Sequence, residues 1–215
     1  MNECVLGQYN GYNLDPSIED KHSITATYAA LCCYVNTPRW QGVPFVLTAG
    51  KALDEQKVEI RLTLKNEKVG LNNCSDNSCV RDNEFVIQLQ PKPSISMQTN
   101  IKSPGYATKI IRKKIEMKYE KSFPFISSLP DAYTRLLLDA LNGNHGSFVR
   151  NDELIRSWEI FSPLLGYIDQ NKIQPSIYEK GSKAPKEAEN FVSNRLSGIS
   201  ASHESNVKQY VRSSL

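Results

Sequence analysis

The chain has 215 residues, of which 40% are hydrophobic and 23% are charged. These fractions are typical of an ordinary globular protein and exclude a disordered, collagen-like or coiled-coil chain. The formal net charge of +3 is too small for nucleic-acid binding driven by bulk charge, but it is compatible with a local anion site.

Cysteine and histidine spacing gives little support for a metal site. The five cysteines are an odd number in a chain long enough to fold without disulfides, which favours a reducing compartment. Four residues separate Cys74 from Cys79, as in one half of a zinc site, but no second pair follows. The histidines are scattered, at His22, His145 and His203. We therefore expect no metal.

The sequence shows no feature of membrane insertion or export. Its longest apolar stretch, residues 26–35, is half of the ~20 residues that a membrane-spanning helix needs. The opening residues Met1-Asn2-Glu3 are acidic, and no signal peptide is visible. We expect a cytoplasmic protein without a membrane or nucleic-acid partner.

Apolar patterns in the first two-thirds of the chain predict β-strands. Residues 25–35 are β-branched, aromatic and small, as in a strand buried on both faces, and residues 43–47 are again apolar. Strict alternation over residues 57–64, 84–90 and 114–119 predicts half-buried strands with one polar face. Because no helix intervenes, we expect an antiparallel sheet.

The last third of the chain predicts helices. After Pro130 the apolar residues recur with helical spacing, and Gly143 is placed to end that helix. A second helix is expected to begin near Asn151 or Asp152, with Pro163 as a kink or a stop.

A third predicted helix covers residues 185–196, and the polar tail that follows has little to bury. The predicted fold class is therefore α+β, with a large, mainly antiparallel sheet and helices packed on one side. We expect one domain over residues 1–197 and a Ser-rich tail over residues 198–215.

Common catalytic motifs are absent from the sequence. It contains no G-x-G-x-x-G dinucleotide loop, no G-x-x-x-x-G-K-[ST] phosphate loop and no G-x-S-x-G elbow. The adjacent acids Asp152 and Glu153 are best explained by the favourable field at a helix start. We interpret His145 as a loop residue.

The loop over residues 50–57, with its two lysines, is the feature most informative about function. Lys51 and Lys57 lie six residues apart, and Lys57 shares a strand face with Arg61 because side chains alternate along a strand. If residues 84–90 form a neighbouring strand, Gln88 and Gln90 join that face. Such a face can bind a phosphate by charge and hydrogen bonds, but a solvated strand face balanced by nearby carboxylates explains the pattern too.

Several motifs in order resemble the glucose-6-phosphate dehydrogenase family, from about residue 5 to residue 190. The resemblance rests on RWQGVPF at 39–45, GKALDEQK at 50–57, VLGQY at 5–9, VIQLQP at 86–91, PDAY at 130–133 and FVRNDEL at 148–154.

The resemblance implies an enzyme that oxidises glucose 6-phosphate with NADP in the pentose phosphate pathway. The family has a coenzyme domain followed by an α+β domain whose sheet forms the dimer interface, and this chain resembles the second domain alone. The family's coenzyme loop and catalytic histidine precede the matched region, and His22 lies in a different context. We expect no catalytic residue here, no activity from these residues alone, and a homodimer or tetramer formed through the sheet.

The resemblance also implies roles for individual residues. Lys51 and Gln90 match the family's substrate-binding lysine and glutamine, the latter a ligand of the sugar phosphate. Gln56 stands where the family usually has an arginine or lysine near the phosphate, so one cation is replaced by an amide.

Some family members hold a second, structural NADP in this domain. Lys57, Arg61 and Glu116 match positions of that site, with Glu116 where an aspartate is usual. Two arginines of the family pattern are replaced, by Thr48 and Gln88.

These replacements leave two hypotheses. In the first, the chain is the C-terminal part of a glucose-6-phosphate dehydrogenase. In the second, it is a non-catalytic binding or dimerisation module on the same fold. An upstream coenzyme domain in the gene product would favour the first.

Overall fold

The structure is a computed structural model that describes residues 3–64, 82–106 and 110–197. In these ranges the strands are β1 (Cys4–Tyr9), β2 (Tyr28–Tyr34), β3 (Pro44–Gly50), β4 (Val58–Thr63), β5 (Glu84–Gln90), β6 (Ser94–Lys102), β7 (Ile110–Lys118) and β8 (Ser176–Tyr178). The α-helices there are α1 (Tyr119–Ser122), α2 (Ala132–Leu141), α3 (Asn151–Gln170) and α4 (Lys186–Ser197). This content confirms the α+β class.

The chain divides into two compact units, one of residues 1–122 with 175–215 and the other of residues 123–174. The first unit contains two four-stranded sheets. In the first sheet, of order β3-β2-β1-β8, only the pairing of β8 with β1 is parallel. The second sheet, of order β4-β5-β6-β7, is wholly antiparallel. The expected antiparallel strands are thus distributed over two hydrogen-bonded sheets.

The core of the first unit lies between the first sheet and α4, which packs on β1, β2 and β3. Tyr28, Ala30, Tyr178 and Ala188 are its buried members, each at most 5% exposed. The fit is close at Gly7, where an added Cβ would lie 2.7 Å from Cγ of Pro185. The first sheet and α4 therefore form a packed layer pair.

The burial of β2 differs from the expectation of a strand buried on both faces. Tyr28, Ala30 and Cys32 are buried, whereas the residues between them are partly exposed. The strand is therefore buried on one face, where the small residue Ala30, at 0% exposed, allows close packing. The described cysteines Cys4, Cys32 and Cys33 are free thiols, and burial raises the pKa of each.

The second sheet has one apolar and one polar face. The paired rows of the strands place eight apolar side chains on what we call the apolar face: Ile60, Ile87, Ile95, Met117, Leu62, Phe85, Met97 and Ile115. Much of this face is exposed, with Ile60 at 52% and Ile115 at 65%. The expectation that residues 57–64 are half-buried is therefore wrong, because the apolar side of β4 is also exposed.

The helices begin close to the predicted positions. Asp131 caps α2 by accepting hydrogen bonds from the backbone N–H groups of Tyr133 and Thr134, at 2.9 and 3.1 Å. Gly143 follows the end of α2 with a φ of 69°, in the left-handed region that favours glycine.

Helix α3 runs past Pro163 to Gln170, so the expected stop there does not occur. A proline removes one backbone donor, and a helix of 20 residues retains the hydrogen bonds on either side. Its N-cap is Arg150, while Asp152 and Glu153 occupy the first turn as expected. Within the described ranges, no helix combines the length and apolarity that crossing a bilayer requires.

Candidate functional site

The loop that joins the two sheets carries the first set of predicted site residues. Lys51 directly follows the last residue of β3, and the loop ends at Lys57, just before β4. Both Lys51 and Gln56 are exposed. The site is therefore a loop with two lysines and two acidic residues that is largely open to solvent and joins the two sheets.

Gln90 lies at the same end of the second sheet. It is the last residue of β5 and pairs with Val58, the first residue of β4, so Gln56 precedes its partner by only two positions. Lys51 is five residues from Gln56, a span of at most about 17 Å in a fully extended chain. The structure thus places Gln56 and Gln90 at one end of this sheet, and Lys51 at the other end of the loop that leads to it.

Hydrogen bonds fix the backbone of Lys51 on both sides. Its N–H donates to the carbonyl oxygen of Thr27 at 2.9 Å. Its carbonyl oxygen accepts from the phenol of Tyr178 at 2.8 Å. Because Tyr178 is only 4% exposed, this bond is anchored in the core of the first sheet.

The residues after Lys51 are held by the segment between β8 and α4. The N–H of Gly181 donates to the carbonyl oxygen of Ala52 at 2.8 Å, and the N–H of Asp54 donates to that of Ser182 at 3.1 Å. Ala52 has a φ of 53°, a conformation that costs a non-glycine residue free energy. The surrounding bonds over-determine this strained residue, which is a common property of ligand-binding loops.

Gly50 sets the position of the loop at the end of β3. A Cβ there would lie 2.5 Å from Cδ2 of Tyr28 and 3.0 Å from Cδ1 of Leu53, closer than real contacts allow. The glycine of the GKAL motif is therefore required because the ring of Tyr28 packs against the backbone.

The two lysines of the loop differ in their electrostatic surroundings. The ammonium of Lys57 lies 3.1 Å from Glu55 and 3.8 Å from Glu59. In the part of the chain that the structure describes, no carboxylate lies within ion-pair distance of Lys51. The charge of Lys51 is thus the one in this loop that an anionic ligand can use without displacing a carboxylate.

The second set of predicted residues lies on the polar face of the second sheet. Arg61 forms ion pairs with Glu59 at 3.0 Å and with Glu84 at 2.9 Å. Burial by itself lowers the pKa of Arg61, but the hydrogen bonds and charges of these two glutamates raise it overall. Arg112 also contacts Glu84, at 3.3 Å. The cations here are already neutralised by the sheet's own carboxylates.

Glu116 belongs to the same face but lies on another strand. A row of paired residues runs across the sheet from Arg61 through Val86 and Ser96 to Glu116. Three strand spacings separate Arg61 from Glu116, about 14 Å. The structure therefore places Arg61 and Glu116 on one face without bringing them together, while Lys57 precedes β4 and a bulge between Val58 and Glu59.

Glu116 has its own partners instead. Its carboxylate accepts a hydrogen bond from Lys114 at 2.8 Å and lies 3.5 Å from Lys118. The hydrogen bond from Lys114 is the main cause that lowers the pKa of Glu116, and the charge of Lys118 adds to it. Gln88 lies on this polar face, whereas Thr48 is on β3 in the first sheet.

The remaining candidates do not form a site within residues 3–64, 82–106 and 110–197. No cluster of three metal-ligating side chains occurs there. The predicted half-site Cys74 and Cys79, and His203, lie outside the described residues. His145 lies in the loop after α2, as predicted.

Sequence patterns did not indicate a role for Thr27 and Tyr178, which form the buried attachment of the loop. They are separated by 151 positions, and their hydroxyl groups lie 2.9 Å apart. No motif links them, because the parallel pairing of β8 with β1 is what brings them together. Only the tertiary structure reveals this contact.

Comparison with known proteins gives one consistent family. The profile described as "Glucose-6-phosphate dehydrogenase, C-terminal domain" matches residues 1–198. The cytoplasmic isoform of glucose-6-phosphate 1-dehydrogenase from Solanum tuberosum is 39% identical over 192 residues, which cover 89% of this chain and 37% of the relative. The enzyme from Dictyostelium discoideum is 41% identical over 196 residues, 88% of this chain and 39% of the relative.

Solved structures agree with the sequence relatives. A structure described as "Glucose-6-phosphate dehydrogenase in complex with its substrate glucose-6-phosphate" matches with a TM-score of 0.79 and 35% identity, over 89% of this chain and 40% of that chain. Glucose-6-phosphate 1-dehydrogenase from Mycobacterium avium matches with a TM-score of 0.71 and 28% identity, over 88% and 38% of the two chains. The chain thus spans less than half the length of these relatives.

Proposed function

Because this chain belongs to the glucose-6-phosphate dehydrogenase family, as its C-terminal domain, we propose that it is the substrate-binding and dimerisation part of an NADP-dependent enzyme. That enzyme oxidises glucose 6-phosphate to 6-phosphogluconolactone. A hydride passes from C1 of the sugar to NADP, and the hydroxyl proton passes to a base outside the described residues. The observation that carries the proposal is the hydrogen-bonded loop that presents Lys51, within a chain of this family.

We propose that Lys51, Gln56 and Gln90 bind the phosphate end of the substrate. Lys51 supplies a positive charge without a carboxylate partner among the described residues, and the two amides supply hydrogen-bond donors. Gln56 carries no charge, so Lys51 contributes the larger share of the attraction. Fixing the phosphate end orients the distant C1 for hydride transfer, and such positioning lowers the barrier by several kcal/mol.

The polar face of the second sheet is our candidate for a structural NADP. Lys57 and Arg61 would contact phosphate groups, and Glu116 would accept hydrogen bonds from the cofactor. Because Arg61 is paired with Glu59 and Glu84, a phosphate has to compete with two carboxylates for it. Because of this competition, we expect a phosphate group to bind more weakly to Arg61 than to Lys51.

The apolar face of the second sheet supports a homodimer or tetramer. It exposes large side chains such as Ile60, Leu62 and Ile115 in one continuous sheet surface. Apolar faces of this kind are typical of interfaces between subunits. We propose the cytoplasm as the location, in line with the plant cytoplasmic isoforms among the relatives.

Precipitation of the native gene product tests the proposal. An antibody to this chain is used on source cells, and the precipitate is assayed for NADP reduction that depends on glucose 6-phosphate. We expect activity together with a band more than twice the 24.2 kDa of this chain. A 24.2 kDa band without activity would instead support the non-catalytic dimerisation module.

A further inference from the structure

A chain of hydrogen bonds runs from β1 through the core to Lys51. The backbone N–H of Tyr9 donates to the hydroxyl oxygen of Thr27 at 2.9 Å. That hydroxyl lies 2.9 Å from the phenol of Tyr178, and the phenol lies 2.8 Å from the carbonyl oxygen of Lys51. Thr27 is 8% exposed and Tyr178 is 4% exposed, so the chain is shielded from water.

The number of hydroxyl protons determines which group donates in each of these hydrogen bonds. A phenol has one proton, and the carbonyl oxygens of Lys51 at 2.8 Å and of Thr27 at 3.3 Å can only accept, so Tyr178 donates chiefly to the nearer one, that of Lys51. Since the one proton of the phenol is used in this way, the hydroxyl of Thr27 donates its own proton to the phenol oxygen.

We propose that Tyr178 is a positioning residue for Lys51, which fixes the backbone from which the lysine reaches the substrate phosphate. The proposal rests on the proposed function, in which Lys51 binds that phosphate. Tyr178 itself is 4% exposed, and its hydroxyl bonds to the backbone of Lys51 and not to its side chain. It therefore acts through Lys51 and does not contact the substrate.

The hydroxyl of Tyr178 can be removed without losing the packing of its ring in the core. Its ring packs edge-on against Tyr28, with centroids 6.0 Å apart, and a phenylalanine would fill the same space. A phenylalanine would lack the hydrogen bonds of the hydroxyl to Lys51 and to Thr27. The substitution Tyr178→Phe thus releases the loop while retaining the apolar packing.

Thr27→Val is the matched control. It keeps the side-chain shape and removes the Thr27 link, which also leaves the N–H of Tyr9 without this acceptor. The bond from Tyr178 to Lys51 remains, as does the bond from the N–H of Lys51 to the backbone oxygen of Thr27. Both variants remove buried hydrogen bonds, so both lower stability, but only Tyr178→Phe releases Lys51 directly.

The first measurement is amide hydrogen exchange on the 215-residue chain without ligand. The reporters are the N–H groups of Lys51, Asp54 and Gly181, which all bond across the loop. We expect Tyr178→Phe to accelerate their exchange by about 10-fold relative to Thr27→Val, compared at equal distance from each melting temperature. Equal exchange in the two variants would overturn the proposal.

The second measurement is steady-state kinetics of the protein expressed from its own gene. We expect Tyr178→Phe to raise KM for glucose 6-phosphate by about 5-fold, with kcat and the KM for NADP changed by less than about 2-fold. Thr27→Val is expected to leave all three near the wild-type values. A fall in kcat alone, or equal KM values in both variants, would contradict a positioning role.

The two measurements separate the possible failures. If the wild-type protein shows no activity with glucose 6-phosphate, the proposed function fails and the substrate part of this inference fails with it. The exchange measurement still decides whether Tyr178 fixes the loop, because it requires neither substrate nor activity.

Discussion

The two sheets of this chain have the same number of strands but opposite surroundings. The first sheet buries Tyr28, Ala30 and Tyr178 against α4 and holds the Lys51 loop with buried hydrogen bonds. The second sheet leaves its apolar face exposed and covers its polar face with ion pairs. In our proposal this difference separates two tasks: the first sheet fixes the loop that binds the ligand, and the second offers a surface for association.

Truncating one large side chain in each sheet should show the difference between the two sheets most clearly. Tyr28→Ala removes a core ring that is 5% exposed, and we expect the free energy of unfolding to fall by about 3–5 kcal/mol, as for other large aromatic residues. Ile115→Ala removes a side chain that is 65% exposed in the single chain, and we expect a change within about 0.5 kcal/mol at protein concentrations at which the chain is monomeric.

Urea denaturation of the two variants measures both values. If Ile115→Ala destabilised the chain as much as Tyr28→Ala, the apolar face would be buried in the folded protein, and the contrast between the sheets would be lost.

Adding a charge to the apolar face should weaken self-association. We expect Ile115→Asp to raise the dimer dissociation constant by at least about 10-fold, because a carboxylate would have to lose its water at the interface. Sedimentation equilibrium over a concentration series measures this constant.

Leu14→Asp is the control for the added charge. Leu14 is 83% exposed and lies in the turn after β1, away from the second sheet. An equal effect of both substitutions would mean that net charge, and not the apolar face, governs association.

The sequence patterns predicted most of the strands and missed β1, β6 and β8. The alternation in residues 57–64 and 84–90 predicted β4 and β5 to within one residue. β6 alternates as well, with Ile95, Met97 and Ile101 between polar residues, but was not predicted; β8 has only three residues and shows no pattern. Short strands are defined by their partners, and these are not written in the local sequence.

Motif resemblance proposed residues for the candidate site but indicated nothing of their support. It pointed to Lys51, Gln56 and Gln90, of which the structure places Gln56 and Gln90 at one end of the second sheet and Lys51 at the end of β3. The attachment through Thr27 and Tyr178 could not be predicted, because it depends on a contact between residues 151 positions apart. Exposure of the apolar face was missed for a related reason, since alternation predicts two unlike faces and not which of them is covered.

The smallest expected effect concerns α2, in the unit of residues 123–174. A hydrogen bond from Thr134 is the main cause that lowers the pKa of its cap, Asp131, below the ordinary value of 3.8. A carboxyl whose pKa is lower in the folded state contributes stability that is present above its unfolded pKa and lost as pH falls through the folded value. We therefore expect α2 to fray below pH 3.8.

Asp131→Asn provides the control, because asparagine caps a helix about as well and does not titrate in this range. Amide exchange of Thr134 between pH 5 and pH 3, corrected for the intrinsic pH dependence, follows the cap directly. An unchanged acid response in the asparagine variant would show that another group is responsible.

The steady-state KM for glucose 6-phosphate in a Lys51→Ala variant, expressed from its own gene, tests the central claim most directly. Lys102→Ala, at the far end of β6 from Gln90, is the matched loss of one exposed charge. We predict that Lys51→Ala raises KM by about 10-fold or more, as for the loss of a charged hydrogen bond, while Lys102→Ala leaves it unchanged. Equal KM values in the two variants would contradict the assignment of Lys51 to the substrate phosphate.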